Sequence, residues 1–411
     1  MGLEIEIRSY SDLVLQVTKG VLPPKNTSYI MSKPSKPEYL ALAYRLKDAG
    51  SLVGLDIFDN YYVENRALRV FGITSTWNTF AKAADFVIFS TVYLRRYVES
   101  SLKRCPNSFT IGDSVPGLVA TADLRDKWTL FCGLHEQLVV TWFGIDSNPY
   151  FSVGLDDIYR SISTLIRLKA RIRESYGHST KVHVYICSKR TDSAFRLVNV
   201  LNDHGIHASF MEWSKETCNS LLRDSHVAFL PTNRSEFVLS KTHNRLTEAL
   251  SRGCIGFITD KSLYGKYVGN ACFDSISLML GFLVSVESSE QVLVACNASL
   301  REIAETEREQ DQAEELSSYL QLAHPRVVGD QKEVIAVFGT VKDATCLKLL
   351  RSTDYLKAGL VSGLIKSPPR YDDITIYHGA DEIRIGLSRL AASKMKRKDP
   401  KSENTEVEYC H

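Results

Sequence analysis

Residues 231–267, PTNRSEFVLSKTHNRLTEALSRGCIGFITDKSLYGKY, decide the fold. They read as strand end, loop, helix, strand, loop. The apolar run over 227–230 stops at Pro231. A polar loop follows, and Ser240, Lys241 and Thr242 look like a helix opening. Leu246, Ala249 and Leu250 recur at helical spacing, Gly253 ends the helix, and 255–258 is the next short buried strand. Such a unit sets a helix N-terminus at the carboxyl edge of a parallel sheet. Free N–H groups and the helix dipole favour negative charge there. Ser240, Lys241 and Arg245 fall in the first turn or so of the expected helix, placed for a phosphate. Glu248 is one turn beyond Asn244, placed for ribose hydroxyls.

Outward from this stretch, strands and helices alternate. Strands are expected near 3–8, 29–32, 52–58, 86–90 and 109–111. Helices are expected over 39–49, 74–84 and 93–102. This rhythm predicts a parallel sheet covered by helices on both faces. A turn-rich passage over 116–127 reads as a linker. A second series follows, with strands at 138–143, 182–187, 209–213 and 226–230 and helices at 155–175, 193–202 and 215–222. The expected organisation is an N-terminal Rossmann-like domain over 1–125 and a second over 126–288. A charged helical segment covers 289–330. A small α/β extension covers 331–393, with a strand at 334–338, a helix at 344–350 and a strand at 374–377. The strand at 334–338 has a second reading, in which it returns to complete the first sheet. Residues 394–411 form a basic tail expected to be disordered.

The totals bound the function. The 411 residues suffice for two or three domains, and a net charge of +2 gives no case for nucleic acid. Nine cysteines with no C-x-x-C pair suggest reduced thiols in a cytoplasmic setting and argue against structural zinc. No signal peptide is read at the N-terminus. The most apolar window, 276–286, is too short to span a bilayer, so any membrane contact is expected to be peripheral, at the inner face. The basic runs Arg95, Arg96, Lys103, Arg104 and Arg167, Lys169, Arg171, Arg173 read first as solvated helix faces and second as anionic-lipid or glycan contacts. No G-x-x-x-x-G-K-[ST] or G-x-G-x-x-G occurs, which disfavours a Walker-type ATPase and a nicotinamide enzyme.

The order of phrases resembles glycosyltransferases with two Rossmann-like domains facing a cleft, the GT-B fold. In the first half these are LVGLDIFDN over 52–60 and ADFVIFS over 84–90. In the second half they are TWFG over 141–144, Glu212-Trp213, and SKTHNRLTEALSRG over 240–253 followed by a strand and Tyr264. The resemblance covers roughly 28–323. It implies a nucleotide-sugar donor, a glycan, lipid-linked or small-molecule acceptor, and work in polysaccharide assembly. The expected donor-binding set is Gly144, Lys189, Trp213, Ser240, Lys241, Asn244, Arg245 and Glu248. Asp56 and Asp59, at a strand's carboxyl end, are the candidate bases. No metal and no cofactor beyond the donor are expected, because Lys241 and Arg245 would take the phosphate charge. Asp113, His243 and His135 are weaker candidates. Many retaining members carry a glutamate eight residues before the ribose-binding one. Ser240 stands there in this chain, and the stereochemistry stays open. The other readings are a nucleotide-sugar epimerase and a non-catalytic nucleotide-binding or regulatory protein on the same scaffold.

Overall fold

The computed structural model describes residues 4–18, 27–32, 34, 37–70, 72–102, 106–116, 125–148, 150–323, 333–338 and 396–397. The chain divides into two compact units. Unit 1 is Met1–Ser114, Ser240–Thr242 and Gln310–His411, and unit 2 is Val115–Leu239 and His243–Glu309.

Unit 1 opens with β1 (Glu4–Ser9), α1 (Tyr10–Thr18), β2 (Thr27–Ser32), α2 (Pro37–Asp48) and β3 (Leu52–Ile57). It continues with α3 (Arg66–Val70), α4 (Ile73–Ala83), β4 (Phe86–Phe89), α5 (Val92–Ser101) and β5 (Asn107–Thr110). Unit 2 begins with α6 (Arg125–Leu134), β6 (Gln137–Phe143), α7 (Leu155–Tyr176), β7 (Lys181–Ser188), α8 (Asp192–Asp203), β8 (His207–Glu212) and α9 (Lys215–Asp224). Then come β9 (Val227–Leu230), α10 (Glu236–Leu239), α11 (Asn244–Ser251), β10 (Ile255–Ile258), α12 (Lys261–Tyr264), β11 (Cys272–Phe273), α13 (Ile276–Ser285) and α14 (Ser289–Gln310). The chain returns to unit 1 with α15 (Ala313–Ala323), β12 (Glu333–Phe338) and β13 (Lys396–Arg397).

The unit 1 sheet runs β13-β1-β12-β2-β3-β4-β5, with every pairing parallel. β12 lies between β1 and β2, with Ile335 opposite both Glu6 and Tyr29. The strand expected in a separate extension over 331–393 is therefore part of the first sheet, as in the second reading. The expected helix at 344–350, the strand at 374–377 and most of the basic tail over 394–411 lie outside the described residues. α15 returns for an apolar reason. Leu316 and Leu320 pack with Ile30, Phe86, Ile88 and Phe109. The Tyr319 ring meets Phe86 at 5.8 Å and Phe109 at 5.5 Å. Gln312 docks beside β5. Its N–H donates to the Thr110 carbonyl at 2.8 Å, and its Oε1 accepts from the Thr110 N–H at 2.9 Å.

The unit 2 sheet runs β11-β10-β9-β6-β7-β8, again all parallel. Counted from β6 as its first strand, the order is 6-5-4-1-2-3. That is the doubly wound Rossmann order, whose switch point lies between its first and fourth strands, here β6 and β9. Ligands of such sheets bind at that point, outside the carboxyl ends of the strands.

The expected linker over 116–127 is helical from Arg125. Trp128 and Phe131, three apart, give α6 an apolar face. Lys127 makes α6 part of the core. Its Nζ donates to the carbonyls of Leu222, Ser225 and Arg252 at 3.1, 2.5 and 3.0 Å, tying together the ends of α9 and α11. Trp128 Nε1 adds a bond to the Gly253 carbonyl at 2.8 Å. His226 sits beside it. Its Nδ1 accepts from the Val139 N–H at 3.0 Å, and its Nε2 donates to the Lys127 carbonyl at 3.1 Å, which fixes one neutral tautomer.

Burial, aided by the Lys127 charge, lowers the His226 pKa from 6.5 to about 4. Between those values the unfolded chain binds more protons than the folded one. Stability of unit 2 is therefore expected to fall as pH drops from 6.5, with a loss of about 3 kcal/mol from this group by pH 4. Urea midpoints of wild type and His226→Asn against pH check this. The wild-type curve should be the steeper of the two across that window; parallel curves would remove the effect.

Candidate functional site

The carboxyl edge of the unit 2 sheet is built around Arg245. Strand β6 ends in Trp142-Phe143, and Gly144 follows, its N–H donating to the Cys187 carbonyl at the end of β7 at 3.1 Å. The Arg245 guanidinium lies over the Trp142 and Phe143 rings, 5.5 and 5.3 Å from their centroids. A Cβ at Gly144 would stand 3.6 Å from the guanidinium carbon and 3.1 Å from Trp142. The tight approach is to the Trp142 ring, while Arg245 is at ordinary contact distance.

Arg245 Nε and Nη2 are buried and have no hydrogen-bond partner among the described residues. So do the hydroxyls of Ser188, which ends β7, and Thr232, just past β9. A buried polar group left unanswered costs about 1–3 kcal/mol, and more when charged. Such a set at one sheet edge calls for an explanation. α11 adds to the same end. Its N-cap residue, His243, makes no side-chain cap bond, and the first-turn N–H groups of a helix have no intrahelical acceptor.

Asp157, buried near the start of α7, is the charge that faces Arg245 electrostatically. Burial raises its pKa, against the pull of Arg160, the Gly154 N–H and Arg245. Its Oδ1 accepts from Arg160 at 2.6 Å and from Asn233 at 3.3 Å, and its Oδ2 accepts from the Gly154 N–H at 3.0 Å. Asp157 thus ties the loop after β9 to the start of α7. Gly154 makes this turn possible, with φ at +89° and an ideal Cβ only 2.4 Å from the Ile145 carbonyl oxygen.

Of the expected donor-site residues, Gly144, Asn244, Arg245 and Glu248 belong to this end of unit 2. Asn244 is the first residue of α11. Glu248, one turn on, reaches Arg252 at 3.5 Å and keeps a partly exposed carboxylate. Trp213 is half-buried, its N–H bonded to the Ser188 carbonyl at 2.8 Å, so it borders the end of β7. Lys189 follows β7 directly. Burial lowers its pKa while Asp146 pulls it upward.

Ser240 and Lys241 do not open the helix, as the sequence led us to expect. α10 ends at Leu239, α11 starts at Asn244, and residues Ser240–Thr242 belong to unit 1. The reason is tertiary. Ser240 is fully buried, its Oγ bonded by Asn60 Nδ2 at 2.9 Å and its carbonyl by Thr91 Oγ1 at 3.1 Å. Lys241 Nζ lies 2.8 Å from Asp59 Oδ1 in an ion pair. The two residues assigned to phosphate and base thus neutralise each other in unit 1. Asp56 and Asp59 follow one another at the carboxyl end of β3, and both are buried.

Sequence reasoning singled out neither Ser188, Thr232, Asp157 nor Asn60 as site residues. Among the described residues no group of three or more His, Cys, Asp or Glu could hold a metal ion. Nor is any described helix long and apolar enough to cross a membrane. Neither expected basic run gains a membrane role from this. Arg167 and Arg171 lie exposed beside a cavity of about 660 Å³ on unit 2, and Arg171 is paired with Glu174 at 2.8 Å.

No family model matches the chain, and no curated protein sequence does. Solved structures do align. A UDP-forming α,α-trehalose-phosphate synthase from Burkholderia xenovorans is 12% identical, with 78% of each chain covered and a TM-score of 0.49. HepE from Anabaena, in complex with UDP and glucose, is 14% identical, covering 75% of this chain and 82% of that one, with a TM-score of 0.49. The B. xenovorans synthase in complex with glucose-6-phosphate is 12% identical, covering 76% and 77%, with a TM-score of 0.46. At scores this low the likeness decides no function, and the α/β topology stands on its own strand pairings.

The Asp59–Lys241 pair gives a test within unit 1. Lys241→Met, which removes the ammonium from a nearly buried carboxylate, is expected to destabilise the unit by about 1–3 kcal/mol. Asp59→Asn should recover part of that loss in the double variant. Urea unfolding of the four proteins measures the coupling, and strictly additive losses would mean the pair does not matter for stability.

Proposed function

We propose that the protein is a glycosyltransferase that uses a nucleoside diphosphate sugar and moves the sugar to a hydroxyl of a glycan, lipid-linked or small-molecule acceptor. One observation carries this reading: the Arg245 guanidinium, two of whose donor nitrogens are buried and unanswered, at the switch point of a Rossmann-ordered sheet. A diphosphate supplies acceptor oxygens and the negative charge that a desolvated guanidinium lacks. The Ser188 and Thr232 hydroxyls and the α11 N-terminus are further donors to it.

In the proposed reaction the acceptor oxygen bonds to the anomeric carbon as the bond from that carbon to the diphosphate oxygen breaks. The electron pair of that bond leaves with the diphosphate. Arg245 stabilises the charge that builds there, which is the task a metal performs in other phosphate chemistry. This supports the metal-independent form of the reading. The acceptor hydroxyl loses its proton to a carboxylate. Asp56 is the stronger candidate, because Asp59 is already neutralised by Lys241. Glu248 is the proposed ribose acceptor. Trp213 and Lys189 are proposed as neighbours of the base and the phosphates.

That same neutralisation of Asp59, with Ser240 where many retaining enzymes carry a glutamate, favours one second reading. It is a nucleotide-binding protein without turnover. Sugar release from a donor distinguishes the two: hydrolysis, however slow, excludes the second reading, and binding without hydrolysis or transfer excludes the first.

Calorimetric titration with UDP, GDP, ADP, CMP and dTDP, with and without a divalent metal, tests the binding site. One diphosphate is expected to bind without metal. Arg245→Ala should weaken it about 30- to 100-fold, while the melting temperature stays level or rises, because a buried orphaned charge has been removed. Unchanged affinity in that variant would exclude Arg245 from the site.

A further inference from the structure

His243 stands directly before α11, the helix that carries Arg245, and its imidazole is committed to a tight polar cluster. Its Nδ1 is 3.2 Å from Glu307 Oε1 on α14, and only 11% and 12% of the two side chains is exposed. The same carboxylate oxygen accepts from the Tyr267 hydroxyl at 3.3 Å, and Lys266 Nζ stands 3.9 Å away. The imidazole meets the Tyr267 ring edge-on at 4.7 Å and the Tyr264 ring at 6.2 Å. Tyr264 is itself fully buried and feels the Arg245 charge. Burial alone would raise the Glu307 pKa. The hydrogen bond and charge of His243, with Lys266 and Tyr267, overcome it and hold the carboxyl below its usual range.

Nothing in the transfer chemistry uses this cluster, and its position is specific. A histidine at an N-cap can turn toward its own helix. Here the side chain is spent on Glu307, 64 residues later in the chain, and the N-terminal N–H groups of α11 are left open.

We infer that Glu307 and His243 form a positioning pair for the phosphate site. Glu307 fixes the imidazole through Nδ1, and the imidazole, wedged against Tyr264 and Tyr267, fixes where α11 begins. The pair thereby sets Arg245 and the open N–H groups in place and keeps the N-cap side chain from closing them. Glu307 is a positioning residue: it acts on the diphosphate through His243 and α11. The inference rests on the phosphate reading of Arg245.

The test is calorimetric affinity for inorganic pyrophosphate and for the preferred nucleoside diphosphate, using the full chain. Glu307→Ala is expected to weaken both about tenfold. Glu307→Gln, which keeps an oxygen for the imidazole, should stay within about twofold of wild type, a rescue that a purely bulk packing role also loses in Glu307→Leu. In an Arg245→Ala background, Glu307→Ala should cost clearly less than in wild type, because only the α11 N–H groups remain for it to position. If Glu307→Ala fails to fold, His243→Asn and His243→Phe carry the same test. Asparagine keeps a donor near Nδ1 and should bind normally, and phenylalanine should lose about tenfold. Wild type that binds neither ligand defeats the phosphate reading itself. Wild type that binds while Glu307→Ala and His243→Phe bind equally well, or effects fully additive with Arg245→Ala, would overturn the pair alone.

Discussion

A guanidinium with two of its donor nitrogens buried and unanswered is the constraint on which the rest of unit 2 turns. Arg245 lies over the Trp142 and Phe143 rings, against the bare backbone of Gly144. Stacking on aromatic faces offsets part of the desolvation but satisfies no N–H. Folding alone gains little from such an arrangement. Its neighbours are arranged in keeping with it. Gly144 spares the Trp142 ring, on which Arg245 lies, a tight contact. Asp157 supplies a counter-charge through space while its own oxygens are taken by Arg160, Asn233 and the Gly154 N–H. His243 turns from its helix toward Glu307.

The scaffold around this site is tied by buried hydrogen bonds. Lys127 ties three carbonyls from the ends of α9 and α11 and the turn between α9 and β9, so the helix that bears Arg245 is fixed at its far end. His226 locks α6 to β6 and β9 in one neutral tautomer. In unit 1 the buried Ser240, held by Asn60 and Thr91, and the Asp59–Lys241 pair do comparable work for a three-residue segment that local sequence would place elsewhere.

Much of this was legible in the chain. The alternation of apolar strands and amphipathic helices carries both parallel sheets, and Gly253 ends α11 where the sequence puts it. The places of Arg245 and Gly144 in the fold were readable, one near a helix start and one after a strand. Ser240 and Lys241 were misplaced for an equally physical reason. A Ser-Lys-Thr run before apolar residues at helical spacing looks like a cap, and nothing local reveals that Asn60 and Asp59, some 180 positions earlier, claim those side chains. Ser188 and Thr232 gave no signal, since a hydroxyl after a strand is ordinary until its lack of a partner is seen. α6 went unread because Trp128 and Phe131 are set in a passage dominated by turn formers. β12 joins the first sheet through pairings with β1 and β2 that no period within the strand encodes.

The most direct test of the central claim is a high-resolution crystal structure of the protein with its preferred nucleoside diphosphate. The account predicts phosphate oxygens within hydrogen-bond reach of Arg245 Nε and Nη2, with the Ser188 or Thr232 hydroxyl also engaged. Ordered water on both guanidinium nitrogens, with the nucleotide bound elsewhere, would contradict it.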